Sequence, residues 1–304
     1  MEPVLLYLAT LLTLAGVYAA LSLGLNLQWG MTGVMNFGLL GFIAAGAYTS
    51  ALLTAPPSPQ HLGGFGWPWW LAWPLAALAG ALLALPIGAI ALRLRADYLA
   101  IATIGIAEIV RLFVRNEDWL TGGPLGVPAI PRPFEALGQP VGQVAYLLLV
   151  AAVVAGLYAM AQATLESPFG RSLRAVRDDE EAAKAAGKNP GRLRLQAFVL
   201  GAACMGLAGA MLAHFFKFMA PDALDPVATT VLVWVMLIAG GSGNNRGAIL
   251  GALLVWALWA ASDWLAAQLP GEMATRAAYV RLFLIGCALQ LVLLYRPHGL
   301  LPGR

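Results

Sequence analysis

The ionisable residue in the most unusual position is Glu108, which lies within the apolar stretch YLAIATIGIAEIVRLFVRN, three residues before Arg111. An unpaired charge at the centre of a membrane-spanning helix costs roughly 3 kcal/mol, so the carboxylate needs a partner. Residues three apart share one face of a helix, which makes Arg111 that partner. The spacing favours a structural ion pair facing the interior of a helix bundle over a substrate or proton site.

A second reactive group to consider is Ser242, because the run from Gly240 to Gly243 matches the GxSG pattern of rhomboid intramembrane proteases. A serine nucleophile needs a histidine within hydrogen-bond reach as its base. In rhomboids that histidine lies on a later helix, whereas here only His298, in the tail, follows the serine. The chain also lacks the GxxxxGK[ST] pattern of ATP-binding loops. We therefore expect no enzyme activity, with a serine protease as the competing hypothesis.

Composition indicates where the elements carrying these residues lie. The chain is 60% hydrophobic and only 11% charged, against roughly 25% charged residues in a soluble domain. From Pro3 to Leu92 there is no Asp, Glu, Lys or Arg, which is room for several helices of about 20 residues each. A net charge of +3 is too small to indicate nucleic-acid binding. The expected fold is an all-α, polytopic membrane bundle of about eight to ten helices.

Hydropathy and turn signals divide the chain into spans within a single domain covering residues 1–304. The predicted spans are 4–25, 35–54, 69–92, 98–114, 142–165, 195–216, 226–239, 247–267 and 280–295. Most Lys and Arg residues fall on the side that contains residues 166–194. Because basic loops stay in the cytoplasm, we expect the N-terminus outside and the C-terminus inside a bacterial or archaeal inner membrane.

Two segments interrupt the apolar pattern with glycines and amides, LNLQWGMTGVMNFGLLGF (25–42) and AGGSGNNRGAILGA (239–252). Unwound backbone at membrane depth survives only against protein or a water-filled cavity. Paired interruptions of this kind are typical of a translocation pathway, although glycines also allow close helix packing. The predicted pathway residues are Asn26, Gly33, Asn36, Gly38, Gly243, Asn244 and Asn245.

Charge is concentrated in residues 170–194, between two apolar stretches. Pro168 and Gly170 are expected to end the fifth span, and Pro190 to precede the sixth. Between them, Asp178 is expected to cap a short helix whose acidic first turn suits the helix dipole. Its alanines leave a slim surface that could dock into another protein, the alternative being a solvated loop.

Several of these motifs together resemble a known family. Glu181, Ala182, Ala183 and Gly187 reproduce the EAA, three residues, G pattern by which ABC importer permeases engage their ATPase subunits. The flanking sequence, the stretches LNLQWGMTGVMNFGLLGFIAAGAY, YLAIATIGIAEIVRLF and VLVWVMLIAGGSGNNRGAILGALLV, and RPHGLL near the end are similar to branched-chain amino acid ABC transporter permeases of the LivM type. The resemblance covers nearly the whole chain.

The resemblance implies a function and a set of partners. The chain would move a small polar solute inward by alternating access, with branched-chain or other amino acids expected first and urea or short amides as alternatives. It would bind no cofactor itself, because ATP and Mg²⁺ would be held by two partner ATP-binding subunits. The other expected partners are a second, related permease, an extracytoplasmic solute-binding protein and membrane lipid. Asp178 belongs with the EAA residues in the expected ATPase-coupling surface.

The sequence departs from the family pattern at two positions. Leu39 follows Gly38 where a histidine is common, and Ala248 follows Gly247 where a proline is common. Both flank the expected pathway, so they bear on the choice of solute more than on the fold. An ion-coupled secondary transporter is the alternative of a different class. Proton or sodium coupling normally needs carboxylates within the spans, and Glu108 is the only clear one besides Asp263 near a helix end, which disfavours this alternative.

Overall fold

The computed structural model describes residues 2–58, 61–223, 226–267 and 299–303, together with residues 286–287, 290 and 294–295. The described chain is helical and contains no strand. Its main helices are α1 (Glu2–Leu25), α2 (Leu39–Thr54), α3 (Trp69–Ala91), α4 (Ala96–Asn116), α5 (Asp118–Thr121), α6 (Val141–Glu166), α7 (Pro168–Asp178), α8 (Glu180–Ala185), α9 (Pro190–Phe216), α10 (Pro226–Gly240) and α11 (Asn245–Ala267).

The long helices match the predicted spans. By length and apolar composition, four stretches of the described chain can cross a membrane: Val4–Gly30, Trp69–Ala91, Val141–Glu166 and Pro190–Phe216. Shorter apolar helices cover Leu39–Thr54 and Thr229–Gly240. Eight of the nine predicted spans correspond to helices, while the ninth, 280–295, falls largely outside the described residues. The prediction of an all-α polytopic membrane protein is confirmed.

Two helix starts differ from the prediction. The helix α2 begins at Leu39 and not at residue 35, because residues 33–38 remain non-helical. The helix α9 begins at Pro190 itself, so the expectation that this proline precedes the helix is wrong. Proline fits the first turn of a helix, where its missing N–H has no acceptor to lose. The side chain of Asn189 caps this end by accepting a hydrogen bond from the Arg192 amide at 3.1 Å.

The centre of the bundle is α9, which packs against α1, α2 and α3. Glycines permit this close packing. A Cβ added to Gly46 of α2 would lie 2.0 Å from the carbonyl oxygen of Gly206 in α9. A Cβ on Gly80 of α3 would lie 2.6 Å from the carbonyl oxygen of Ala202. Small residues at helix crossings let backbones approach closely, which is a main source of helix association in lipid.

The helix α4 lies at the edge of the bundle and packs mainly against α2. Its buried residues are Leu99, Thr103, Ala107 and Val114, which share one face. The irregular segment between α5 and α6 contacts the chain just after α9. Val127 and Met219 exchange two backbone hydrogen bonds there, at 2.8 and 3.0 Å. This contact ties the segment between α5 and α6 to the end of α9.

Candidate functional site: the broken-helix junction and the coupling element

The first interruption is a widened turn followed by an extended stretch. After α1 the chain continues as a π-helical turn, Asn26–Gly30, and leaves helical geometry at residues 33–38. The side chain of Asn26 bridges to the second interruption. Its Oδ1 accepts a hydrogen bond from the Gly243 amide at 2.7 Å, and its Nδ2 donates to Oδ1 of Asn245 at 2.9 Å. The two interruptions therefore meet in space, and residues 26–38 and 240–245 are called the broken-helix junction below.

Gln28 and Asn36 satisfy the unwound backbone inside the junction. Gln28 donates through Nε2 to the Phe198 carbonyl of α9 at 2.8 Å and accepts from Nδ2 of Asn36 at 2.8 Å. Asn36 in turn accepts from the Gly38 amide at 2.8 Å. The indole of Trp234 in α10 donates to the Asn36 carbonyl at 3.0 Å. Buried polar groups need such partners, and these side chains supply them in place of helical hydrogen bonds.

The second interruption ends where α11 begins. Asn244 accepts a hydrogen bond from the Arg246 amide at 3.0 Å, as expected of a residue that caps a helix N-terminus. The neighbouring Asn245 donates to Gln162 of α6 at 3.2 Å. On the other side, the amides of Leu300 and Leu301 donate to the last carbonyls of α10 at 3.0 and 2.9 Å. Leu300 and Leu301 thus provide hydrogen bonds to carbonyl groups at the C-terminus of α10 that lack partners within the helix because the helix is interrupted there.

The predicted pathway residues consequently fall into two groups. Asn26, Asn36, Gly38, Gly243 and Asn245 are buried, and each takes part in the contacts within the junction or packs against α4. The remaining two, Gly33 and Asn244, lie at its more exposed edge.

The predicted pathway residues thus form a closed polar cluster and do not line an open channel. A role in solute passage stays a prediction for all seven residues.

The charged segment forms two short helices, α7 and α8, joined at Asp179. The side chain of Asp179 accepts a hydrogen bond from the Ala182 amide at 3.0 Å and so caps α8. The expectation that Asp178 is the cap is wrong. Asp178 is the last residue of α7, where its carboxylate accepts from Nε of Arg177 at 2.9 Å. Asp179 is the residue that leaves helical geometry, with φ −152° and ψ 105°, and a capping residue needs that extended backbone.

Gly187 ends α8 in a left-handed conformation, with φ +76°. Its amide donates to the Lys184 carbonyl at 2.9 Å, and the Lys188 amide donates to the Ala183 carbonyl at 3.0 Å. This pair of hydrogen bonds is the Schellman arrangement, in which glycine is favoured because it has no Cβ. The glycine of the EAA pattern therefore has a structural role that can be read from the geometry.

The two helices enclose an exposed groove of about 630 Å³, lined by Pro168, Arg171, Ser172, Ala175, Asp178, Asp179, Ala182, Ala183, Ala186 and Lys188. Ala182 is exposed on this groove, whereas Ala183 is buried and anchors α8. Glu181 is 83% exposed in its side chain and pairs with Lys184 at 2.8 Å. Of the predicted coupling residues, Asp178, Ala182 and Ala183 line this groove, whereas Glu181 and Gly187 lie on the same element outside its lining.

Glu180 fixes α8 to the bundle. Its carboxylate contacts Lys184 at 3.0 Å and Arg194 of α9 at 2.8 Å. The hydrogen bond from Lys184 and the nearby Arg194 guanidinium hold the pKa of Glu180 below its ordinary value, because both favour the ionised carboxylate. Such partly exposed pairs are weak singly, but together they orient α8 against the start of α9.

One side chain connects this element to the broken-helix junction. Nη1 of Arg177 in α7 donates to the carbonyl of Gly30 at 2.7 Å. Gly30 closes the π-helical turn, and an added Cβ on it would lie 2.6 Å from the Gly243 amide nitrogen. On the far side of the junction, the Phe37 amide donates to Thr103 of α4 at 3.0 Å. A continuous set of contacts therefore runs from α7 through both interruptions to α4.

Glu108 and Arg111 contact each other as the spacing predicts, at 2.6 Å. Arg111 also donates to Asp222, in the segment after α9, at 2.8 Å. The pair does not face the interior of this chain, since the Glu108 side chain is 42% exposed and that of Arg111 is 19% exposed. The reason is that the buried face of α4 is formed by the other side of the helix, around Thr103 and Ala107.

Among the described residues, no histidine is hydrogen-bonded to Ser242. Of the two histidines within the described ranges, His214 contacts Ser50 and the Pro131 carbonyl, at 2.8 and 2.7 Å. The ring of His61 lies 3.2 Å from the Leu62 carbonyl. His298 lies outside the described residues.

The fold defines the chain as an all-α, polytopic membrane protein. It belongs to the family described as branched-chain amino acid transport system / permease component, whose profile matches residues 7–293. Its function is that of a permease subunit of an ABC importer, a class that works with ATPase and solute-binding partners. No solved structure shows significant similarity to it.

Curated relatives agree with this assignment. The chain is 33% identical, over 314 residues, to the high-affinity branched-chain amino acid transport system permease protein LivM of Salmonella typhimurium, covering 95% of this chain and 69% of that protein. The LivM protein of Escherichia coli (strain K12) gives the same values. The autoinducer 2 import system permease protein LsrC of Yersinia pseudotuberculosis is 28% identical over 192 residues, covering 58% of this chain and 52% of that protein.

Sequence patterns alone missed several residues of the junction. Gln28 and Gln162 are polar residues within apolar stretches, and that contrast was a usable signal. Thr103 gave no signal, because threonine is common in helices of this kind and its role depends on which backbone packs against it. In the sequence Arg177 is one of several arginines in a charged segment. Only the folded structure shows that it is the one that donates to the Gly30 carbonyl.

Proposed function

We propose that this chain forms half of the membrane core of an importer for branched-chain amino acids, paired with a second, related permease. Two ATP-binding subunits would hold ATP and Mg²⁺, and an extracytoplasmic binding protein would deliver the solute. The LivM relatives, named as branched-chain amino acid permeases, support this choice of solute. The segments expected on the outer side, residues 55–70 and 119–140, support delivery by a separate protein, since they are short and rich in Gly and Pro.

The observation that carries the proposal is the hydrogen bond between Arg177 and the Gly30 carbonyl. It joins the exposed surface of α7 and α8 directly to the point where the two helix interruptions meet. A push on that surface would be transmitted to the junction without passing through a flexible loop. Transporters of several folds change access by moving parts around such interrupted helices.

In the proposed mechanism the partner ATPases close on ATP and displace α7 and α8 together. The exposed groove beside Ala182 receives a segment of the ATPase subunit, and Asp178 is one of its lining residues. The exposed Glu181 precedes Ala182 on α8. Movement of Arg177 then shifts the π-helical turn, and the contact between Phe37 and Thr103 carries the shift to α4. This chain would supply no bond chemistry, only a path for the solute and a connection to the energy source.

The charged helices α7 and α8 also indicate the orientation of the chain in the membrane. We propose that α7 and α8 lie in the cytoplasm of a bacterial or archaeal cell, which puts the N-terminus outside and the C-terminus inside. Basic residues in this segment and at the start of α9 support the assignment, because Lys and Arg remain on the cytoplasmic side. The segment tied to the end of α9 by Val127 would then face outward.

The experiment is a co-purification from the native membrane, comparing the wild-type chain with Ala182→Trp and the matched control Ala185→Trp. Both alanines are exposed on α8, but only Ala182 lines the groove. We expect the wild-type chain and the control to recover two ATP-binding subunits and a second permease, and Ala182→Trp to lose the ATP-binding subunits. Recovery of no ATPase by the wild-type chain after crosslinking would contradict the proposal.

Solute transport is tested in proteoliposomes containing the co-purified complex and its binding protein. We expect uptake of labelled leucine, isoleucine and valine that requires ATP on the ATPase side. Uptake driven by a proton or sodium gradient without ATP would support the secondary-transporter alternative. ATP-dependent uptake of urea or short amides in preference to amino acids would keep the class and change the solute.

A further inference from the structure

The outward face of α4 carries charge near the middle of a helix that the sequence predicts to span the membrane. Glu108 lies 8 residues from Asn116 and 12 residues from Ala96, the two ends of α4, so at ~1.5 Å per residue it is about 12 and 18 Å from those ends. Its side chain is 42% exposed. Ionisable residues at such positions face protein or water and not hydrocarbon, because lipid cannot solvate them. This face of α4 is therefore unsuited to contact with lipid.

The charges on this face are balanced: Glu108, Arg111 and Arg115 lie along α4, and Asp222 comes from the segment after α9. Arg111 is fully engaged, with Nε and Nη2 on Glu108 at 2.9 and 2.6 Å and Nη1 on Asp222 at 2.8 Å. Arg115 is less constrained, since its Nη1 lies 3.8 Å from Asp222, beyond hydrogen-bond distance, and its side chain is 44% exposed. Two carboxylates and two guanidinium groups thus line one strip with no net charge.

Aliphatic side chains flank the same strip. Ile104 is 48% exposed, Leu112 is 42% exposed and Ile101 is 68% exposed. At Gly105 an added Cβ would meet no atom within 4 Å, so space is open beside Glu108. A surface with both charge signs next to exposed aliphatic groups is complementary to a molecule that carries an ammonium, a carboxylate and an apolar side chain.

We propose that the outward face of α4 lines the aqueous solute pathway and binds a zwitterionic aliphatic amino acid. The α-carboxylate binds Arg115, the α-ammonium binds the carboxylates of Asp222 and Glu108, and the side chain lies against Ile104 and Leu112. The choice of an amino acid rests on the proposed function, whereas the aqueous character of the face does not. The pathway is thereby assigned to a surface outside the seven residues predicted from the helix interruptions.

The position of α4 links this surface to the rest of the molecule. Its opposite face contacts the broken-helix junction through Thr103, whose hydroxyl accepts from the Phe37 amide. A Cβ added to Gly38 would lie 2.4 Å from the Thr103 carbonyl oxygen, so the junction presses directly on the helix backbone. A displaced junction therefore moves the binding face without needing to contact the solute.

The first test measures whether water reaches the face in the assembled complex. Cys204 and Cys287 are first replaced by alanine, and single cysteines are then introduced as Ile104→Cys and as the control Leu82→Cys on α3. The two side chains are similarly exposed, at 48% and 56%, and lie at similar depths from the helix ends expected outside, Asn116 and Trp69. Each variant is treated in proteoliposomes with a charged, membrane-impermeant thiosulfonate and with a lipid-soluble maleimide.

We expect the charged reagent to modify Ile104→Cys at least tenfold faster than Leu82→Cys, and excess leucine with its binding protein to slow that reaction. Modification of both positions by the maleimide alone would show a lipid-facing helix and overturn the proposal. Modification of Ile104→Cys by neither reagent would show a dry protein contact and also overturn it. Modification without protection by leucine would contradict the zwitterion assignment.

The second test concerns the ligand. In leucine uptake we expect Arg115→Gln to raise KM at least tenfold, while Arg93→Gln, which removes an exposed arginine from the segment between α3 and α4, leaves KM unchanged. An unchanged KM for Arg115→Gln would refute the carboxylate contact. Failure of the proposed function is recognised separately, because the unmodified complex would then transport no amino acid whatever the accessibility of Ile104→Cys.

Discussion

Replacement of Gly187 distinguishes a structural glycine from a contact residue. Its φ of +76° is left-handed, and an added Cβ would meet no atom within 4 Å. The cost of Gly187→Ala is therefore purely one of backbone conformation, roughly 1 kcal/mol for an L-residue in this region. For a helix as short as α8, about 1 kcal/mol lowers the ratio of capped to frayed conformations roughly fivefold. Asparagine tolerates the left-handed region, so Gly187→Asn is expected to lose much less, and Gly187→Val more.

The assay is leucine uptake in proteoliposomes, normalised to the amount of this chain, with the amount of ATP-binding subunit recovered with each variant measured alongside. We expect uptake and recovery to fall in the order glycine, asparagine, alanine, valine, with alanine lowering each by at most about fivefold. If asparagine were as damaging as valine, the pattern would follow side-chain size. The reasoning from backbone conformation would then be refuted, and Gly187 would be a direct contact of the ATPase.

Three further predictions concern transmission, packing and protonation. Arg177→Ala should reduce uptake at least tenfold without loss of the bound ATPase, whereas Arg174→Ala, which removes the same charge from the same helix, should have little effect on uptake. Gly46→Ala should lower the melting temperature in nanodiscs, because overpacking costs about 1–3 kcal/mol or more, while Gly156→Ala, with no atom within 4 Å of the added Cβ, should not. The lowered pKa of Glu180 means that its contacts stabilise the attachment of α8 above pH 4.5, its ordinary value, and are lost as the pH falls through the lower folded-state pKa. Limited proteolysis after α8 should therefore increase in acid in the wild-type chain, and Glu180→Gln should remove that pH dependence.

Much of the helical framework was predictable because it depends on local sequence. Apolar runs of about 20 residues identify spans without knowledge of their neighbours. The glycine and asparagine clusters likewise indicated where helices are interrupted. The errors lie at helix ends, as with Pro190 and with the choice between Asp178 and Asp179. Both aspartates are chemically able to cap a helix, and only the backbone angle at the second one decides.

The broken-helix junction could not be derived from the sequence in the same way. Asn26 and Asn245 are 219 residues apart, and nothing local in either segment specifies the other as its hydrogen-bond partner. Burial also depends on the assembled bundle, so an asparagine that satisfies a backbone amide and one that faces a channel look identical in sequence. The exposure of Glu108 was missed for a related reason. The pairing with Arg111 is local, but the direction that the pair faces is set by which side of α4 meets α2.

The glycine contacts of α2, α3 and α9 have a mechanical consequence. Where a carbonyl oxygen occupies the place of a side chain, as between Gly46 and Gly206, neither helix can slide along the other without a steric clash. These three helices must therefore turn as one rigid body. Within the described residues, the points where such a body can turn relative to the other helices are then the non-helical residues 33–38, which precede α2, and 241–244, which separate α10 from α11. Spin labels on α2 and α9 should keep a constant separation through the transport cycle, while labels on either side of these points should not.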